Sequence, residues 1–166
     1  VAAQAYARLQ PLAGRIRRVV LLGPVHRVAV RGLALPSASA FATPLGQVSL
    51  DCAGMAAIAD LPQVCVSAAA HAQEHSLEVH LPFLQTLLGE FQLVPLAVGD
   101  ASAAEVAEVL ARLWGGDETL VVISSDLSHY LGYAQARHSD AETVRQILAG
   151  RPDLDHQQAC GATPVN

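Results

Sequence analysis

Short apolar runs of strand length alternate along this chain with segments that repeat at helical spacing, and this alternation most constrains its fold. Three runs rich in valine, leucine and isoleucine are typical of buried strands, at 18–22, 91–98 and 119–124. Strands that alternate with helices form a largely parallel sheet with helices on both faces. We therefore predict an α/β protein, a three-layer sandwich with a central, mostly parallel sheet, in one domain over residues 1–166.

Weaker patterns predict the other elements. Further strands are expected at 28–35, 45–51 and 63–67, with a turn at 43–46 between the first two. Helices are expected at 2–10, 53–61, 76–90, 103–114 and 133–149, with another that begins near Pro152. Pro82 falls inside the helix expected at 76–90, so it should lie in the first turn of that helix, where its missing N–H is harmless. Because both ends of the sequence cut a pattern short, we expect the domain to be truncated at both ends.

Composition excludes several classes of protein. Hydrophobic residues make up 52% of the chain and charged residues 15%, which excludes disorder and suits strands buried on both faces. The formal net charge of −5 argues against nucleic acid or an anionic membrane as a partner. No apolar run is long enough to span a bilayer, and the start is unlike a signal peptide. Three cysteines without a C-x-x-C pair suggest a reduced, cytoplasmic protein, and Cys65 reads as a buried small hydrophobe.

Two of the most strand-like segments are followed by residues that could bind a metal or act as an acid or base. His26 follows the first strand through a Gly-Pro turn, and Asp126 and His129 follow the strand at 119–124. Ligands of open α/β sheets bind at the carboxyl ends of strands, so His26 is a candidate metal ligand, although a loop histidine is more often a surface residue. A helical turn would place Asp126 and His129 on one face as an acid–base pair, or Asp126 would simply cap a short helix.

The segment 71–82 is the densest polar cluster of the chain. His75 and Glu78 should share a helix face while His80 points elsewhere, and the spacing is not that of a zinc protease. Glu74 and His75 are candidate catalytic or supporting groups beside a pocket, the alternative being a solvated helix start. No phosphate-binding loop occurs, and the absence of G-x-S-x-G makes a serine hydrolase a weak hypothesis.

Five motifs, in order, resemble the Memo family, which is also called AmmeMemoRadiSam system protein B. They are Leu-Gly-Pro-Val-His at 22–26, Thr-Pro-Leu-Gly at 43–46, Glu-His-Ser-Leu-Glu-Val-His-Leu-Pro at 74–82, Ser-Ser-Asp-Leu-Ser-His at 124–129 and Cys-Gly at 160–161. The resemblance implies a fold similar to that of class III extradiol dioxygenases, with one metal ion held by two histidines and a cysteine.

Carried over to this sequence, the family's site implies His26 and Cys160 as metal ligands. It places Asp126 and His129 in the same pocket, with His129 similar to the acid–base histidine of the dioxygenases. The family's other histidine ligand lies in a Pro-His-Ala-Gly segment, which this sequence does not contain. A thiolate with two imidazoles suits iron or copper as readily as zinc and leaves coordination positions open.

Three functions follow as alternatives. The first is a metal-dependent oxidoreductase with iron or copper. The second is a non-enzymatic binding or scaffold protein that holds a peptide or small molecule in a vestigial active-site pocket, and the third is metal-assisted hydrolysis. The resemblance also implies radical-SAM and AMMECR-type proteins as partners.

Overall fold

A five-stranded sheet forms the centre of the computed structural model, which describes residues 2–166. In chain order its strands are β1 (Arg18–Pro24), β2 (Leu33–Leu35), β5 (Val64–Val66), β6 (Gln92–Val98) and β7 (Thr119–Ile123). The spatial order is β5-β2-β6-β1-β7, and only the pairing of β2 with β6 is antiparallel. The predicted α/β fold with a mostly parallel central sheet is therefore confirmed.

The other elements lie around this sheet. Strands β3 (Ala40–Thr43) and β4 (Gly46–Ser49) form a separate hairpin. The helices are α1 (Ala2–Ala7), α2 (Cys52–Ala56), α3 (Ala68–Ala72), α4 (Leu81–Leu88), α5 (Ala103–Leu113), α6 (Tyr133–Leu148) and α7 (Ala162–Val165), with short 3₁₀ helices at Gln10–Leu12 and Glu78–His80. Within the described residues, no helix is both long and apolar enough to cross a membrane.

Alternate side chains of β1 pack on opposite faces of the sheet, and this produces the three layers. Val19 and Leu21 belong to a core that contains Leu84 of α4, while Val20 and Leu22 join Val109 of α5 on the other face. All six side chains are completely buried. Burial of an aliphatic side chain contributes about 1.5–3 kcal/mol, so a strand that is apolar on both faces is stable only between two helical layers.

Three local predictions are wrong in whole or in part. The strand expected at 28–35 covers only Leu33–Leu35, because Gly32 adopts a φ of +79°, which interrupts the extended backbone before it. The turn at 43–46 is present, but it joins β3 to β4 in a hairpin rather than the strands expected at 28–35 and 45–51. Cys65 is exposed, because β5 is an edge strand.

The helix expected near Pro152 is also absent from the described chain, where 151–155 form no regular element. The backbone of Leu154 is paired instead with the side chain of Asn166, which accepts from its N–H at 3.0 Å and donates to its carbonyl at 2.9 Å. These bonds replace helical ones and hold the segment against the end of α7.

Candidate metal centre

The carboxyl ends of β1 and β7 meet at one edge of the sheet, because the two strands are parallel neighbours with Leu22 opposite Ile123. The chain beyond β1 supplies His26, and the chain beyond β7 supplies Asp126. A cavity of about 490 Å³ lies at this edge and is lined by both residues, together with His75, His80 and Cys160. The structure thus brings five of the polar residues noted in the sequence to one cavity.

Glu74 is buried and binds His26 at two atoms. Its Oε2 accepts the backbone N–H of His26 at 2.6 Å, and its Oε1 lies 2.9 Å from Nδ1 of the ring. The contact at Nδ1 fixes the orientation of the imidazole and leaves Nε2 available. A carboxylate on the far nitrogen of a histidine is the usual support of a metal-binding imidazole.

His75 completes a group of three side chains whose ligand atoms all lie within 4.8 Å of one another, a spacing that could hold a metal ion. Its ring stacks on that of His26 with the centroids 4.9 Å apart, and its Nδ1 is 3.3 Å from Oε1 of Glu74. Oε1 also accepts the backbone N–H groups of His75 and Ser76. With its oxygens engaged in this way, Glu74 is better suited to orienting the two imidazoles than to binding metal itself.

The charge of Glu74 is stabilised by these donors. Burial by itself would raise its pKa, but hydrogen bonds from the ring and backbone of His26 and from the N–H groups of Ser76 and His75 lower it to about 2. Glu74 is therefore a carboxylate at neutral pH. In this form it can accept a hydrogen bond from an imidazole N–H.

Cys160 reaches the cavity from the loop before α7. Its Sγ accepts the backbone N–H of Asp126 at 3.1 Å, and its own N–H donates to the carbonyl of Asp126 at the same distance. Gly161 adds a bond from its N–H to Oγ of Ser125 at 2.9 Å. An N–H directed at sulfur is the type of hydrogen bond that tunes metal-bound thiolates, and the three bonds fix Cys160 beside the end of β7.

Asp126 and His129 lie at the outer limit of an ion pair, but not on the helical turn that the sequence suggested. The segment 124–131 is not helical, so the expected helical turn and the alternative role of Asp126 as a helix cap are both wrong. Oδ2 of Asp126 lies 4.0 Å from Nε2 of His129, and the two side chains are 87% and 42% exposed. Among the described residues, His129 is not part of the cavity wall, which Asp126 alone of the two reaches.

The predicted face shared by His75 and Glu78 is also wrong, because residues 78–80 form a 3₁₀ helix rather than a turn of α4. Its tighter winding brings His80 to the same cavity as His75, whereas Glu78 lines a different surface groove. The residue in the sequence that could have indicated the 3₁₀ helix is Pro82, because proline limits how far α4 extends toward its N-terminus.

The fold and these residues define an α/β protein with a possible metal-binding group of histidines and a carboxylate at the carboxyl edge of its sheet. Comparison with known families identifies the family of this protein. The Memo-like protein family matches residues 1–161, and the chain belongs to this family. The resemblance seen in the sequence is therefore confirmed.

Relatives in several microbes support this membership. The chain is 36% identical over 140 residues to a MEMO1 family protein of Archaeoglobus fulgidus, covering 78% of this chain and 51% of that protein. It is 39% identical over 128 residues to one of Aquifex aeolicus, covering 74% and 48%. A third, of Methanopyrus kandleri, is 37% identical over 161 residues, covering 90% and 55%. The chain spans about half the length of these relatives.

A solved structure shares the fold. The crystal structure of an uncharacterized protein, JW3007, from Escherichia coli K12 superposes with a TM-score of 0.54, covering 92% of this chain and 66% of that one. The sequences are 17% identical, so the likeness concerns the fold alone.

Proposed function

We propose that this chain carries most of a mononuclear metal site and that the protein is a metal-dependent oxidoreductase of the non-haem iron dioxygenase type, with iron or copper. His26 and Cys160 are the proposed ligands. The observation that supports this most is the contact of Glu74 with Nδ1 of His26, which leaves Nε2 of the same ring free to bind a metal. The His26 ring lines the same cavity as the thiol of Cys160.

The donor set fits such an ion. An imidazole and a thiol are ligands that iron and copper both accept, and the carboxylate behind His26 increases the basicity of its ring. A third donor is needed, which the family resemblance assigns to the histidine of a Pro-His-Ala-Gly segment. When bound, the ion would supply one-electron chemistry at a position still open to substrate.

The chain's own residues would move protons beside that position. His75 and Asp126 line the cavity and are the proposed acid–base groups. His129, at 4.0 Å from Asp126 and partly exposed, is proposed to exchange protons between Asp126 and solvent. Glu74 contributes by orienting His26 and His75.

Metal analysis of the purified protein tests this proposal. After loading with Fe²⁺ or Cu²⁺ and desalting, the wild type should retain one ion, and His26→Ala and Cys160→Ser should each retain much less. His138→Ala on α6 and Cys52→Ser on α2 are matched controls, since both residues are exposed and lie outside the cavity. Equal metal content in all five proteins would contradict the ligand assignment. Oxygen consumption that is the same with and without metal would contradict the redox function.

A binding protein is the second candidate, favoured by the apolar wall of the cavity. Val79 and Phe83 form an apolar part of its wall, which suits a small molecule or the side chains of a peptide. The proposed protein partners are a radical-SAM protein and an AMMECR-type protein in the cytoplasm. Calorimetry with either purified partner tests this: binding that is unchanged in His26→Ala would favour the scaffold, and absence of binding would contradict it.

A further inference from the structure

The hydroxyl of Tyr6 and the ring of His80 are joined across the cavity wall. Tyr6 Oη lies 2.6 Å from Nδ1 of His80, although the residues are 74 positions apart. Tyr6 is only 8% exposed, and its ring stacks on Phe83 with the centroids 5.1 Å apart and the planes 3° from parallel. Packing therefore fixes the hydroxyl in front of one particular nitrogen of His80.

The direction of this hydrogen bond follows from the burial of Tyr6. Burial raises the pKa of Tyr6 to about 12, so the hydroxyl keeps its proton at neutral pH. In the described part of the chain the hydroxyl has no other hydrogen-bond partner, and accepting from Nδ1–H would leave its own buried proton unpaired, so we infer that it donates to Nδ1. Burial also lowers the pKa of His80, against the opposing charge of Asp126, and favours the neutral ring. A neutral imidazole whose Nδ1 accepts carries its proton on Nε2.

His80 thus offers a single N–H to the cavity that it lines. Within residues 2–166, Nε2 has no hydrogen-bond partner, and a polar atom at an apolar wall is an orienting group for a ligand. The ligand's chemistry is limited by two neighbours. Phe83 and Val79 suit an apolar body, and the negative charge of Asp126 disfavours an anionic oxygen near His80.

We propose that His80 is a substrate-binding residue that donates a hydrogen bond from Nε2 to a neutral oxygen, such as a carbonyl, of a small apolar substrate, and that Tyr6 is a positioning residue that fixes its tautomer. The inference deepens the proposed function, because it concerns the same cavity. It does not require the metal, so the two can fail separately.

The tautomer is measured directly by long-range ¹H–¹⁵N spectra of histidine-labelled, metal-free protein at pH 7.5, with the His80 signals assigned by their loss in His80→Gln. The wild type should show the Nε2–H form. Tyr6→Phe, which keeps the stacked ring but loses the donor, should shift His80 toward the Nδ1–H form, whereas Tyr133→Phe on the exposed surface of α6 should not. An imidazolium or an Nδ1–H ring in the wild type would overturn the proposal.

Ligand recognition is measured with three probes of one size: acetophenone, benzoate and ethylbenzene. Acetophenone should bind most tightly. His80→Leu should weaken it about 3–10-fold, the effect of one lost hydrogen bond, without changing ethylbenzene. His80→Gln, whose amide retains an N–H at a similar position, should keep most of the affinity. Thermal denaturation verifies that the variants fold. No detectable acetophenone binding, equal binding of ethylbenzene, or equal losses in both variants would overturn the proposal.

Discussion

The carboxylate of Glu74 holds His26 by its backbone and its ring together, with Oε2 2.6 Å from the amide nitrogen and Oε1 2.9 Å from Nδ1. The two residues are 48 positions apart, and Glu74 is buried while the His26 side chain is 37% exposed. A fixed anion behind an accessible imidazole restricts rotation of the ring and makes its outer nitrogen more basic. The imidazole of His26 is therefore already oriented so that its Nε2 can bind a metal ion from the cavity.

Replacement of Glu74 by glutamine should weaken metal binding about 10–100-fold, the usual effect of losing a carboxylate behind a ligand histidine. The amide has one oxygen, so its NH₂ group must face at least one of the N–H donors that now contact Glu74. Competition of the protein with a coloured chelator for Fe²⁺ or Cu²⁺ measures the change.

Glu78→Gln is the matched control for this substitution. Glu78 is exposed on the 3₁₀ helix and outside the cavity, so its loss should leave metal affinity within experimental error of the wild type. If Glu74→Gln binds metal as tightly as this control, the carboxylate does not support a ligand.

Gly161→Ala should displace Cys160 and destabilise the protein by about 1–3 kcal/mol, the range for overpacking a filled site. A Cβ at Gly161 would collide with the carbonyl oxygen of Ser124 and would lie 2.8 Å from Cβ of Ser125. The free energy of unfolding in urea measures the loss, and chelator competition should show weaker metal binding. In Gly132→Ala the new Cβ would meet only Oε1 of Gln135, at 3.8 Å, so that control should lose less, limited to the weaker N-cap of α6. Equal stability of the two variants would contradict the tight contact.

The sequence predicted the central strands well and the irregular segments poorly. Strands β1 and β6 are apolar on both faces, a pattern that a helix or loop would not bury. The conformation of 124–131 had no such signal: Tyr130 adopts a φ of 58°, rare for a non-glycine residue, where periodicity suggested a helical turn. His26 was expected at this edge from the end of its strand, and Cys160 was expected beside it only from the family resemblance; both line the one cavity. The contact of Glu74 with His26 depends on where the segment before α4 packs, which local sequence does not specify.

Stability should fall in acid because of Asp51, which caps α2 and pairs with Arg18. Oδ1 accepts the N–H of Gly54 at 2.8 Å, and Oδ2 lies 2.5 Å from Nε of Arg18. Burial alone would raise the pKa of Asp51, but these donors hold it below the ordinary value of 3.8. Because the folded-state pKa is the lower one, the stabilisation is complete above about pH 4 and is lost as pH falls through the folded-state pKa.

Urea denaturation of metal-free protein between pH 2.5 and pH 7 measures this dependence. Asp51→Asn should lower the free energy of unfolding at pH 7 by about 1–3 kcal/mol, because it leaves Arg18 without its partner, and should flatten the decline below pH 4. Asp60→Asn is the control, since Asp60 is 68% exposed in its pair with Arg112 and such surface pairs contribute little. An acid decline as steep in Asp51→Asn as in the wild type would assign the pH dependence to other carboxylates.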